Sequence, residues 1–252
     1  MNDIEIQKPE IKPMAHEAIY ETVLQILRKA PRGKLLDVPA GEGALALQLQ
    51  REGFEVFCCD LYPQIFKLKN TEIKLGNLDK SLPYEDSSFD YIVCVEGLEH
   101  IENPANAIRE FARLLRSSGR LIISVPNIMN IEERLKWLIY GYTSHFKPVS
   151  EEVIAGIKKE FAEMEEVALH VNPIGYSELR YLLENNNFKI SSVYRDKPKS
   201  HSWAYFPLIY LIRLINRFNS AAKRRARWSY ELNSDELLLG GNTLIFEAIL
   251  DN

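Results

Sequence analysis

Four short apolar runs constrain this chain more than any other feature: KLLDV (34–38), EVFCCD (55–60), YIVCVE (91–96) and RLIISV (120–125), separated by helical or turn-rich segments. Runs this short with no polar alternation belong to strands covered on both faces, and parallel strands need long crossovers between them. The pattern predicts a doubly wound α/β core. Ahead of the first run, HEAIYETVLQILRK (16–29) sets Ile19, Val23, Ile26 and Leu27 on one face, an amphipathic helix leading into the sheet. NPANAIREFARLLRSSG (103–119) has an Asn-Pro helix start and a Ser-Gly stop, with Ala107, Phe111, Leu114 and Leu115 as its apolar stripe.

With 252 residues, 46% of them hydrophobic, the chain is long enough for a full core, and a single domain (1–252) carrying insertions is expected. Cys58, Cys59 and Cys94 all lie in the apolar runs, as packed reduced thiols do, with no zinc-type spacing and no metal site expected. The start, MNDIEIQKPE, lacks the basic and apolar parts of a secretory signal, and no apolar stretch reaches spanning length, so a cytoplasmic location is expected.

Two stretches break the alternation. Residues 128–172 hold helical pieces between SVPN and YSELRYLLENNNFKISSVY, and because they leave the carboxyl edge of the sheet they are expected to form a substrate lid. Residues 196–235 separate a strand at 188–194 from a last strand at 242–250, a connection much longer than the fold requires. Within it, 201–228 combines aromatic and aliphatic residues with a basic end. Residues 196–230 carry eight Lys/Arg against one Asp, a balance of +7, so the rest of a chain of net charge −4 carries −11. Such a segment suits peripheral contact with an anionic inner-membrane surface, or else packs on the domain or in a homodimer interface. A nucleic-acid arm fits poorly, since the rest of the chain would repel phosphate.

The stretch LLDVPAGEGA (35–44) reads as a strand, a glycine turn and a helix start. Asp37 ends the strand, and Gly41 and Gly43 let the backbone approach a ligand at the carboxyl edge, although a tight turn with no ligand would carry the same glycines. Asp60 ends the second strand seventeen residues after Gly43, where a carboxylate accepts hydrogen bonds from a ribose diol. A nucleotide-dependent dehydrogenase would continue Gly-x-Gly-x-x-Gly, whereas here Ala44, Leu45 and Ala46 follow.

LLDVPAGEG, CCDLYP, LPYEDSSFDYIVCVEGLEHIENP and FARLLRSSGRLIISVPN resemble, in order and spacing, the successive motifs of the class I S-adenosylmethionine-dependent methyltransferases, in particular the small-molecule group that includes ubiquinone-pathway enzymes. HVNPIGYSELRYLLENNNFKI (170–190) is similar to the segment after the lid in a bacterial branch of that group. The resemblance implies a Rossmann-like seven-stranded sheet, mostly parallel with an antiparallel last strand, and S-adenosyl-L-methionine as cofactor. It implies that Asp37 and the turn Pro39, Ala40, Gly41 and Gly43 face the methionine part and ribose. Asp60 would hold the ribose hydroxyls, Leu61 would pack on adenine, Asn77 and Leu78 would meet the adenine edge, and Glu96 would lie near the methionine end or the substrate. Pro39 replaces the usual first glycine and Asn77 a common aspartate, which bears on affinity; an asparagine carbonyl still accepts from an amino group.

A sulfonium methyl is already activated, so such an enzyme mainly aligns a nucleophile and needs a base only if that nucleophile must lose a proton. His145 and His170, flanking the lid, are the candidate bases, with Glu96 and His100 as further candidates. The expected activity is methyl transfer to a small or lipid-linked acceptor, at oxygen. The alternatives are N- or C-methylation of a soluble metabolite and a non-catalytic cofactor-binding scaffold.

Overall fold

The computed structural model describes residues 11–155, 169–199 and 202–251. Seven strands form one sheet: β1 (Lys34–Asp37), β2 (Glu55–Asp60), β3 (Ile73–Leu75), β4 (Phe89–Cys94), β5 (Leu115–Pro126), β6 (Phe188–Arg195) and β7 (Thr243–Leu250), in the order β3-β2-β1-β4-β5-β7-β6. β1 to β5 pair in parallel and β7 runs antiparallel between β5 and β6, which is the expected Rossmann-like sheet. The order reverses at β1, whose neighbours are β2 and β4, and a crevice opens at the carboxyl ends beside that switch.

The apolar runs carry no alternation because each strand is buried on both faces. Leu35, Tyr91, Val93, Ile122 and Ile245 face one half of the core with α1 (Glu17–Arg28) and α2 (Ala44–Arg51). Their sequence neighbours Leu36, Ile92, Leu121, Ile123 and Phe246 face the other half, with α3 (Pro104–Leu114) and a later helix at Tyr176–Glu184. Truncating one of these leucines to alanine costs about 2–5 kcal/mol, a large share of the stability of a domain this size. The helix faces expected at Ile19, Val23, Ile26 and Leu27 and at Ala107, Phe111 and Leu114 are buried. Cys58, Cys59 and Cys94 are free and buried.

Three boundaries differ from the sequence reading. Leu115 leaves the helix and pairs with Phe89 as the first residue of β5, so RSSG extends the sheet instead of capping a helix; Ser118, at φ +60, takes the irregular turn. β4 ends at Cys94, which frees Val95 and Glu96 to enter the crevice. β3 sits within a stretch that carried no strand signal, having three residues with Lys74 in the middle.

Of the predicted lid, α4 (Ile131–Tyr140) and residues 151–155 are helical, and 156–168 lie outside the described residues. The Asn130 carboxamide caps α4 by accepting the Glu133 N–H at 3.0 Å and donates to the carbonyls of Asn127 and Gly241, tying the start of the lid to the carboxyl end of β5 and the start of β7. α5 (Tyr176–Glu184) precedes β6. The second insertion forms α6 (Phe206–Arg217) and α7 (Ala221–Ala226), the latter capped by Ser220. The two insertions touch: Ile131 of α4, Ile209 of α6 and Leu238 make one small apolar cluster.

Candidate functional site

A cavity of about 380 Å³ lies at the carboxyl ends of β1, β2 and β4. Its floor is the glycine turn. Gly41 and Gly43 have φ +54 and +93, values that cost a side-chain-bearing residue about 1 kcal/mol or more, and a Cβ on Gly41 would stand 2.7 Å from Met14 Cγ. Asp60 fixes this turn from below: its Oδ2 accepts the Gly41 N–H at 2.8 Å and its Oδ1 accepts the Tyr62 N–H at 2.8 Å. Each oxygen keeps a lone pair for a ligand hydroxyl.

Asp37 is 1% exposed, and its Oδ2 has no hydrogen-bond partner although it lines the cavity. Burial first, and the nearby Asp60 second, push its carboxyl up to about 8. A buried carboxyl with an orphaned oxygen facing a cavity is a receptor for a cationic or hydrogen-bonding ligand group, and S-adenosylmethionine carries an ammonium. Leu61, Ile65, Leu78 and Ile101 supply apolar wall. Asn77 lines the same wall, but its Oδ1 already accepts the Asp79 N–H at 2.8 Å within its own turn, so the carbonyl expected to meet adenine has one lone pair left for it. Pro39 and Ala40 line the cavity, and Gly43, which was expected to face the ligand, lies outside its wall, packed beneath Phe66.

Two wall residues carried no sequence signal. Tyr20, on the buried face of α1, reaches the cavity, where the Met14 and Ala15 amides bind its oxygen; burial, then Asp37, raise its hydroxyl to about 12. Met14 lies over the turn from a segment held by Glu42, which accepts the Lys12 N–H at 2.7 Å and pairs with Lys67 at 2.6 Å.

Glu96 adopts φ +49, a cost met by Ser124, whose hydroxyl accepts the Glu96 N–H at 2.8 Å and donates to its Oε1 at 3.0 Å. Its side chain thereby enters the cavity, with burial raising its pKa. Glu99, which sequence reasoning passed over, is fully buried with both oxygens outside hydrogen-bonding geometry; burial and then the charge of Glu96 drive its pKa well above the carboxylate range.

The histidines converge. His100 Nδ1 donates to the Leu169 carbonyl at 3.0 Å, since a carbonyl only accepts, and the Glu99 carbonyl accepts the N–H groups of Val171 and Asn172 at 2.8 and 3.0 Å. Those bonds hold His170 against His100, with ring centroids 4.7 Å apart, and both rings line the cavity. His145 stacks behind His170 at 6.0 Å and is not part of the cavity wall. It is held there through Ser144, whose N–H donates to Glu133 at 2.6 Å. Burial lowers the pKa of all three, and the neighbouring His100 and His145 add to the fall of His170, to about 4. All three rings are thus neutral near pH 7. Glu99, His100 and His170 also bring one ligand atom each within 4.8 Å of the others, a carboxylate and imidazole set that suits a divalent cation, although no metal site was expected.

A switch-point crevice with a glycine turn, a strand-end acid and this strand order defines the class I S-adenosylmethionine-dependent methyltransferase fold. The chain belongs to the methyltransferase-domain family, which matches residues 14–193. It is 29% identical over 176 residues to the ubiquinone biosynthesis O-methyltransferase of Psychrobacter cryohalolentis, an alignment covering 61% of this chain and 67% of that protein. It is 32% identical over 103 residues to the Xylella fastidiosa protein of the same name, covering 37% of this chain and 42% of that one. An S-adenosylmethionine-dependent methyltransferase from Archaeoglobus fulgidus superposes with a TM-score of 0.54 at 15% identity, over 91% of this chain and 94% of that one; at that identity the likeness shows the fold alone. S-adenosylmethionine is the cofactor of the family.

Proposed function

We propose that the chain methylates a hydroxyl oxygen of a small or lipid-linked acceptor. The observation that carries this reading is that one cavity is lined by Asp37 and Asp60 and also by His100 and His170. When bound, S-adenosylmethionine supplies a methyl carbon already activated by its sulfonium. The protein's own part is then to hold that ligand and to accept a proton. Asp60 takes the ribose hydroxyls, Asp37 the charged methionine end, and Leu61 and Leu78 the adenine, with Asn77 at its edge. His170 is the base: it is neutral near pH 7, its ring lines the cavity, and His100 and His145 fix its place. Its proton affinity lies about six pKa units below that of a phenolate, so His170 takes the proton only as the attacking oxygen gains the methyl group and becomes strongly acidic. Residues 128–172 act as the lid on the acceptor, which is supported by the anchoring of α4 at the carboxyl edge through Asn130.

The test is S-adenosylhomocysteine release with catechols and phenols bearing alkyl tails of increasing length, set against amines and activated carbon acids. Turnover confined to amines or carbon acids would replace oxygen as the target. Cofactor binding with no turnover on any acceptor would make the chain a scaffold.

A further inference from the structure

α6 has the composition of a buried helix but not the burial. Its twelve residues, FPLIYLIRLINR, include no acid and only two arginines, and Arg213, Asn216 and Arg217 gather on the side of Ile209, which leaves the rest of the circumference apolar. Its core contact is made through Ile209, which meets Ile131 and Leu238, with Leu208 and Ile212 beside it. The opposite side is open. Phe206, Tyr210, Leu214 and Phe218 recur every four residues along one exposed stripe, and Leu211 and Ile215 lie on the next. Tyr210 is 70% exposed and Phe218 85%, and no described residue covers them.

The basic residues follow at once. α7 and the residue after it carry Lys223, Arg224, Arg225 and Arg227. Arg224 is used locally, donating to the Arg217 and Asn219 carbonyls and the Tyr230 hydroxyl. Lys223, Arg225 and Arg227 are exposed and pair with no carboxylate among the described residues. They stand on a segment of +7 in a chain whose remainder carries −11.

We infer that α6 and α7 form a docking face for an anionic lipid surface. The exposed stripe of α6 enters the headgroup boundary, and Lys223, Arg225 and Arg227 meet lipid phosphates at its end. Charge supports this occupant: three exposed cations without a carboxylate partner among the described residues, beside an uncovered apolar stripe, match anionic headgroups over an acyl boundary. The helix lies along the surface: twelve residues span about 18 Å, short of the ~30 Å hydrocarbon core, and no helix among the described residues is long and apolar enough to cross it. This inference concerns a face remote in sequence from the cofactor residues and stands independently of the acceptor.

Co-sedimentation of the full chain with phosphatidylcholine vesicles, with and without phosphatidylglycerol, tests it. Binding is expected to the anionic vesicles at low ionic strength and to fall as salt rises. The triple change Lys223→Gln, Arg225→Gln, Arg227→Gln leaves the Arg224 contacts intact and should weaken partitioning by about a hundredfold. Tyr210→Ser with Phe218→Ser, which touches no core contact, should also abolish binding while leaving the melting temperature unchanged. Equal binding of the triple variant and the wild type, or binding to neutral and anionic vesicles alike, would overturn the assignment. So would failure to bind vesicles, and a dimer in sedimentation velocity that Tyr210→Ser with Phe218→Ser dissociates would then identify the occupant as a second copy.

Discussion

Asp60 is proposed to make two kinds of bond, and replacing it separates them. In the protein its oxygens take the Gly41 and Tyr62 amides at 2.8 Å each; in the proposed complex the remaining lone pairs would take two ribose hydroxyls. Asp60→Ala removes both hydroxyl contacts, which as charge-assisted bonds in a site 5% exposed are worth about 2–4 kcal/mol together, a loss of roughly 30- to 900-fold in affinity for S-adenosylhomocysteine. It also strips two amides of their acceptor, at about 1–2 kcal/mol of stability because Gly41 faces a cavity water can fill. Calorimetry alone cannot divide a distorted turn from a lost ribose contact, so the cycle uses a second ligand, the analogue lacking the 3′-hydroxyl. Against wild type that analogue binds more weakly; against Asp60→Ala the gap between the two ligands should shrink by about 1–2 kcal/mol. An unchanged gap, with the variant folded, would mean that Asp60 only shapes the turn and that the ribose is held elsewhere.

With its pKa at about 8, Asp37 is about nine-tenths protonated at pH 7, so pairing with a ligand ammonium should release close to one proton, read by calorimetry in buffers of differing ionisation heat; Asp37→Asn should abolish the release, and buffer-independent heats in the wild type would refute it. His170→Ala should lower kcat about a hundredfold or more with affinity for S-adenosylhomocysteine within about twofold, and His145→Ala, one ring removed from the cavity, should cost less. Because the folded pKa of His170 lies below its unfolded value of 6.5, the unfolded chain takes up the proton first, and stability falls as pH drops from about 6.5 towards 4. The full shift would amount to about 3 kcal/mol, discounted to about 1–2 for a partly exposed ring, and His170→Gln should remove that part of the pH slope in denaturant melts. Ile209→Ala should destabilise by about 2–4 kcal/mol and raise proteolysis within α4 as well as α6; protection of α4 unchanged would show that the two insertions are independent.

What the sequence made legible follows from how local each signal is. The strand runs, the faces of α1 and α3 and the strand-end acids Asp37 and Asp60 all sit in continuous stretches whose residue types answer to one local environment. β3 was illegible because three residues with a lysine at the centre carry no periodicity, and the start of β5 because RSSG has the chemistry of a helix stop while its pairing with β4 is decided across the sheet. Tyr20 reads as core by its place on α1, and only the fold reveals that this face of α1 borders the crevice. His100 and His170 could each be singled out as titratable, but their contact spans seventy residues and depends on the Glu99 and Leu169 carbonyls, which have no side-chain signature at all.

The two insertions illustrate the same limit on a larger scale. Read along the chain, a lid at 128–172 and an apolar, basic segment at 196–235 are separate departures from the fold, one facing the acceptor and the other a surface. Ile131, Ile209 and Leu238 bring them together into one cluster. Ile131 is the first residue of α4, directly after the Asn130 cap, and α4 also carries Glu133, which holds Ser144 and with it His145 behind His170. A continuous set of packed and hydrogen-bonded groups therefore runs from the exposed helix α6 to the histidines of the cavity. Docking of α6 on a lipid surface would restrain α4 through Ile209, and a lid steadied at the surface where a lipid-linked acceptor resides gives that acceptor a defined path to His170. The arrangement predicts that anionic vesicles raise turnover on long-tailed acceptors more than on short, freely soluble ones, since a soluble acceptor gains nothing from being presented at the surface.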